Sequence, residues 1–361
     1  MAKKIDSYWI ACAQFFGKTG QAGDSADKFK EARKENVLSY QTMVEKICGD
    51  GAKENPSSEE TAALVVFPEM SLAGLPNSAE FAKKGIPIQD WIEKGAVYIP
   101  GEETDAVAKT TSAAGVYLIG NGFERDDAFP GAFFNCSFIM SPDGKILTKY
   151  RRFHTLAVSP DDIWDEYVKK VGWDNIFPVV DTPLGRLGAH ACGEIRFPEV
   201  GRMFGMKGVE VLAHCDSSGN PEPGLEAEAN PSMLAWSFCR RARAVENQCY
   251  IPRANSRGGC EIVDYYGRTL ARTLSSAPMQ YVKAPISLSI LREAKKSKVH
   301  NEVARLRSKV FAHYYENLDG WPSNAWTGKK IPGDLEKGRE EHWRKTTERG
   351  YKLGYLRKED E

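Results

Sequence analysis

The chain predicts an α/β fold with sheets covered by helices, and three observations carry that prediction. Short apolar runs bounded by turn residues recur along the sequence, helix-like segments fall between several of them, and the opening is a strand followed by a helix. The opening strand is Tyr8-Trp-Ile-Ala-Cys-Ala-Gln14, whose apolar side chains alternate, and Asn36 to Cys48 then spaces Val37, Tyr40, Val44 and Ile47 along one helical face. Between them, Gly17 to Lys34 is polar and glycine-containing and reads as an inserted loop with one exposed helix. Its Gly17-Lys18-Thr19 imitates a phosphate-binding loop, but the position five residues earlier is Cys12, not the glycine such a cradle needs.

Further strand-like runs are Ala63 to Phe67, Val116 to Asn121, Cys136 to Met140, Leu187 to Cys192, Val209 to Ala213 and Ile251 to Asn255. Glu103 to Ala114, Pro198 to Lys207 and Met233 to Asn247 read as helices, and Pro142-Asp-Gly144 as a hairpin turn. After about Ile286 the chain becomes charged and aromatic, with tryptophans at 321, 326 and 343. Residues 1–290 are expected to form one domain, and 291–361 an extension that packs on the body or on a neighbouring subunit.

Lys plus Arg equals Asp plus Glu at 49 each, so no global field recruits nucleic acid or an anionic membrane. A small-molecule partner suits this balance. No run approaches the roughly 20 apolar residues needed to cross a bilayer, and Met1-Ala-Lys-Lys-Ile-Asp-Ser-Tyr lacks an apolar signal core, which together predict a cytoplasmic protein. Eight cysteines without paired spacing argue for buried thiols and against a disulfide framework. His190, Cys192, His214 and Cys215 lie at adjacent strand ends, but no Cys-x-x-Cys or His-x-x-x-His spacing supports zinc, so neither metal nor cofactor is expected.

Three segments carry the chemistry. Phe67-Pro-Glu69 follows an apolar strand, which brings the Glu69 carboxylate to a strand end, where sites commonly form. Lys149 opens Lys149-Tyr-Arg-Arg152 beyond the hairpin; on a strand edge it is an ordinary solvated cation, whereas in a dry pocket it offers a fixed charge to an oxyanion. Cys192 ends its strand before Gly193-Glu-Ile-Arg-Phe-Pro-Glu199, a sharp turn into a helix. Amides at such a corner favour the thiolate, and a neighbouring carboxylate can take the thiol proton.

Together these segments resemble the nitrilase superfamily of carbon–nitrogen hydrolases over roughly residues 8 to 285, with Gly131-Ala-Phe-Phe-Asn135 and Arg243-Ala-Val-Glu-Asn247 in supporting places. The resemblance implies a four-layer α-β-β-α sandwich. It also implies Glu69 as general base, Cys192 as nucleophile, and Lys149 with the Gly193 amide as stabilisers of the tetrahedral intermediate. Glu194 and Arg196 are expected to support the cysteine corner, and His154, Trp164 and Asp216 are candidates for contacting substrate.

The chain departs from the family pattern at several places. A fourth acid is common about ten residues beyond the lysine, where this chain offers Asp161 or Asp162, and Arg152 stands where a second motif lysine is common. Cys192 is followed by glycine, without the tryptophan of true nitrilases. The expected function is therefore an amidase that cleaves a small linear amide through a cysteine thioester. Nitrile and N-carbamoyl hydrolysis are the neighbouring alternatives, and a catalytically silent assembly protein is the alternative of another class. The resemblance further implies a homodimer or larger homo-oligomer.

Overall fold

The computed structural model describes residues 5–49, 61–155, 157–218, 231–299, 301–316, 318, 321–354 and 356–357. The first half runs β1 (Ser7–Gln14), α1 (Ala26–Cys48), β2 (Leu64–Val66), α2 (Ser78–Lys83), α3 (Ile88–Gly95), α4 (Glu102–Ala114), β3 (Tyr117–Arg125), β4 (Phe133–Met140) and β5 (Ile146–Arg151). The second half runs α5 (Trp164–Val171), β6 (Val180–Thr182), β7 (Gly185–Ala191), α6 (Pro198–Met206), β8 (Val211–Asp216), α7 (Pro231–Asn247), β9 (Ile251–Asn255), β10 (Glu261–Val263), β11 (Thr269–Arg272) and β12 (Gln280–Ser287). Four helices follow: α8 (Leu288–Ala294), α9 (Ser308–Glu316), α10 (Leu335–Gly338) and α11 (Glu340–Leu353).

The strands form two six-stranded sheets, ordered β12-β1-β2-β3-β4-β5 and β11-β10-β9-β8-β7-β6. In each, three central strands are parallel, β1-β2-β3 and β7-β8-β9, and the flanking strands antiparallel. The sheets pack face to face over a core that includes Ile10, Leu64, Val66, Leu187, Val211 and Ala213. Alternation along each strand sends the other side chains outward, where Val65, Leu118 and Phe138 meet the α1, α3 and α4 layer and Leu212 and Ile251 meet α6 and α7. The layers are helix, sheet, sheet, helix, the expected α-β-β-α sandwich.

Strands β6 and β10 to β12 and helices α2, α3 and α5 are additions to the elements expected from sequence, and one expected segment takes a different form. Residues 26–34, read as part of an inserted loop, continue the following helix without a break, so that α1 has 23 residues. Phe29 and Ala32 lie on the face that Asn36, Val37 and Tyr40 extend, and burial of this stripe overrides the polar character of the segment. The hairpin at Pro142-Asp-Gly144 forms as expected, with Gly144 at φ 80° and its N–H donating to the Ser141 carbonyl at 2.9 Å. All eight cysteines are unpaired thiols. No described helix is long and apolar enough to cross a membrane. Beyond α8 the chain returns to the body, where Trp326 and Leu335 join the same apolar cluster as Trp91 and Tyr167.

Candidate active site

Both sheets end at one corner, where β2 and β4 of the first sheet meet β7 and β8 of the second. Glu69, just beyond β2, donates its backbone N–H to the Asp216 carbonyl at the end of β8 at 3.3 Å, which ties the two sheets together here. Glu69 is 2% exposed, and three side chains donate to its carboxylate. Its Oε1 accepts from Asn135 Nδ2 at 2.6 Å and from Arg152 at 2.7 Å, and its Oε2 accepts from the Ser217 hydroxyl at 2.6 Å. Asn135 is oriented in turn by Asn121, whose Nδ2 donates to it at 2.8 Å while its Oδ1 accepts from the Met70 amide at 2.7 Å. A buried carboxylate is tolerable because both oxygens accept hydrogen bonds and a guanidinium neutralises it.

Cys192 follows β7 with φ 50°, a left-handed conformation uncommon for a residue with a side chain. Its carbonyl lies 2.9 Å from His214 Nε2 on the neighbouring strand, which braces the strained residue. A 3-10 turn runs from Cys192 to Arg196, and as its first residues Cys192 and Gly193 have amides without an intrahelical acceptor. The ligand-capable atoms of Cys192, Glu69 and Asp216 lie within 4.8 Å of one another. Burial and the Glu69 charge push the thiol pKa well above its ordinary value despite Arg152, so the resting thiol is protonated at neutral pH. Burial opposes the charge of Arg152, but the Glu69 and Glu194 carboxylates outweigh it and hold the guanidinium firmly protonated.

Asp216 is fully buried, paired with Arg253 Nε at 2.6 Å and bonded to the Ser218 amide and hydroxyl at 2.8 Å each. Burial raises its pKa, but Arg253, His214 and Ser218 together lower it below the usual carboxylate range. Both carboxylates of the cluster thus hold guanidinium partners, and a metal ion there would have to displace Arg152 and Arg253. The zinc alternative fails on strand geometry. Cys215 faces the core between the sheets, whereas His190 and His214 stack at 4.7 Å on adjacent strands.

A family model described as carbon-nitrogen hydrolase matches residues 12–296. The chain belongs to the carbon–nitrogen hydrolase family. The Xenopus tropicalis protein named omega-amidase NIT2 is 26% identical over 249 residues, which are 66% of this chain and 81% of that one. The human protein of the same name is 28% identical over 195 residues, 51% of this chain and 66% of its own. A carbon-nitrogen hydrolase structure from Helicobacter pylori G27 superposes with a TM-score of 0.60 at 20% identity, covering 87% of this chain and 99% of the other. An amidase structure from Nesterenkonia gives 0.56 at 15% identity, covering 86% and 97%.

Within this carbon–nitrogen hydrolase the expected site residues sort unequally. Glu69 and Cys192 meet. Lys149 does not join them: it donates to the Ile99 carbonyl at 2.6 Å and pairs with Glu124 on the outer face of the sheet. The cause is strand parity. Lys149 and Arg151 oppose Phe138 and Cys136, which face the helix layer, while Tyr150 opposes the inward Ser137 and the Arg152 amide donates to the Asn135 carbonyl at 2.9 Å. Arg152, the departure noted at the second motif position, therefore occupies the place expected of Lys149.

Asp161 and Asp162 also turn away. Asp162 caps its own turn by accepting from the Ser159 amide at 2.9 Å and pairs with Arg339, while Asp161 bonds to Ser159. Glu194, fully buried, accepts from the Tyr150 hydroxyl and the Phe153 amide at 2.8 Å each and so ties the Arg152 segment to the Cys192 turn. Gly193 has a steric reason: a Cβ there would lie 3.2 Å from Arg152 and 3.7 Å from the Trp236 ring. His154 stacks on the Phe197 ring at 3.5 Å, Trp164 packs between Phe153 and Trp173, and Arg196 is exposed. Sequence reading missed Asn135 and Ser217 as Glu69 partners, although Asn135 stood in a motif already singled out. Two surface cavities, of about 520 and 420 Å³, are lined by none of Glu69, Arg152 or Cys192.

Proposed function

We propose that the chain is an amidase for small linear primary amides, with Cys192 as nucleophile, Glu69 as proton carrier and Arg152 as the fixed positive charge. The observation that carries this reading is the Arg152 guanidinium, bonded to Glu69 at 2.7 Å and packed against Gly193 beside the nucleophile. As Cys192 attacks the amide carbon, the neutral thiol passes its proton to Glu69. Negative charge builds on the amide oxygen, where the Gly193 amide and Arg152 oppose it. Glu69 gives the proton to the departing nitrogen, and ammonia leaves behind a thioester. Water then loses a proton to Glu69 as it attacks the thioester, and the thiolate takes that proton back as the acid departs.

Relatives named as omega-amidases favour an amide over a nitrile, and the eight free thiols suit a reducing compartment such as the cytoplasm. Exposed Phe238 on α7 and Met206 on α6 support a homo-oligomer. The test is ammonia release from a panel of amides, carbamoyl compounds and nitriles, with intact-mass detection of an acyl adduct on Cys192. Turnover of nitriles alone, or an adduct that persists in Cys192→Ala, overturns the reading.

A further inference from the structure

The family match ends at residue 296, yet the chain beyond it reaches back to the segment that follows Arg152. Arg339, 6% exposed, donates to the Ala157 carbonyl at 2.8 Å and to the Thr155 carbonyl at 3.5 Å, and pairs with the fully buried carboxylate of Asp162. Its guanidinium lies 5.1 Å from the ring centre of Trp326, itself 5% exposed. Backbone bonds add to the clamp, from the Trp326 amide to the Asp162 carbonyl at 2.9 Å and from the Asn324 amide to the Asp161 carbonyl at 2.7 Å. The other end of the same segment is the site: Arg152 holds Glu69, and the Phe153 amide holds Glu194 two residues beyond Cys192.

We propose that the C-terminal extension is a positioning strap for the active site, in which Arg339 acts through the Asp162 segment to hold Arg152 and Phe153 against Glu69 and Glu194. Of the two aspartates placed where the family carries a fourth acid, Asp162 gives its carboxylate to that strap and Asp161 only its backbone carbonyl. Arg339 touches no reacting atom; it is a positioning residue. Hydrogen bonds to two carbonyls and one carboxylate need the planar fork of a guanidinium, which a lysine satisfies only in part. The proposal rests on the assignment of Glu69, Arg152 and Cys192 as the reacting groups.

The test uses the full chain carrying Arg339→Gln, with Arg339→Lys as partial rescue and Tyr314→Ala, an exposed position on α9, as control. In Arg339→Gln, hydrogen exchange at the Phe153 and His154 amides speeds up about tenfold, and alkylation of Cys192 by iodoacetamide quickens. Amide turnover falls on the order of 10- to 100-fold in kcat, the scale of a displaced catalytic group. Arg339→Lys recovers part of each change, and the control shows none. Should Arg339→Gln fail to fold, Asp162→Asn carries the same readouts. A folded variant with unchanged exchange and unchanged Cys192 alkylation overturns the strap. Altered exchange and alkylation in a protein that hydrolyses no amide leaves the strap standing and overturns the amidase reading.

Discussion

In the proposed reaction most turns on Arg152, because one guanidinium meets both Glu69 and the corner beside Gly193. Arg152→Lys keeps the charge but offers a compact ammonium in place of a planar fork, and kcat is expected to fall by about tenfold. Arg152→Met removes the charge, and a loss of about 10²–10³ in kcat is expected, as for other oxyanion donors. Lys149→Met should behave in the opposite way. It leaves Glu124 with Arg151 as its remaining partner, so urea unfolding should show a loss of about 1–3 kcal/mol, while kcat per folded molecule stays near that of the parent. A Lys149→Met protein that is stable but inactive would restore the lysine to the site and sink this assignment.

At the scale of elements, the turn after β7 holds a strained residue. Cys192 at φ 50° lies in a region that costs a side-chain-bearing residue about 1–2 kcal/mol and a glycine almost nothing. Cys192→Gly is therefore expected to be more stable than Cys192→Ala by about 1 kcal/mol, with both inactive; equal denaturation midpoints would show that the turn is unstrained. The helices behind this corner are closely packed. A Cβ at Gly205 on α6 would lie 2.6 Å from the Asn247 side chain on α7, so Gly205→Ala should cost about 1–3 kcal/mol in a thermal or urea melt. The strands β1, β2, β3, β4, β7, β8 and β9 and the helices α4, α6 and α7 were legible because their apolar spacing is local, whereas β6 and β10 to β12 were not read. Continuity of α1 through residues 26–34 was not, since the value of burying Phe29 depends on the sheet it meets.

For the whole molecule, buried titratable groups define a window of stability. Seven of the eight thiols, Cys192 among them, have pKa values raised chiefly by burial. Above about pH 8.5 the unfolded chain loses thiol protons that the folded chain keeps, so stability falls as pH rises, by up to about 1.4 kcal/mol per pH unit for each thiol. Burial also lowers His190 to about 4 and His214 well below its ordinary value. Below about pH 6.5 the unfolded chain takes up protons that these buried rings refuse, and stability falls as pH drops. Urea midpoints measured from pH 4.5 to 10 under reducing conditions should therefore show a plateau between about 6.5 and 8.5; a midpoint that climbs from pH 8 to 10 contradicts the thiol argument.

The sequence by itself determined the α/β class, the strand ends that carry Glu69 and Cys192, and the reaction family, because each is written in short-range spacing and local motif. Tertiary structure alone decided which cation enters the site. Lys149 lies on β5 and Arg152 follows its last residue, three positions on, and only the pairing of β5 with β4 sets which parity faces inward. It alone decided, too, that the Asp162 carboxylate serves the C-terminal extension, since Arg339 lies 177 residues from Asp162 in the chain and meets it only when the sandwich is closed.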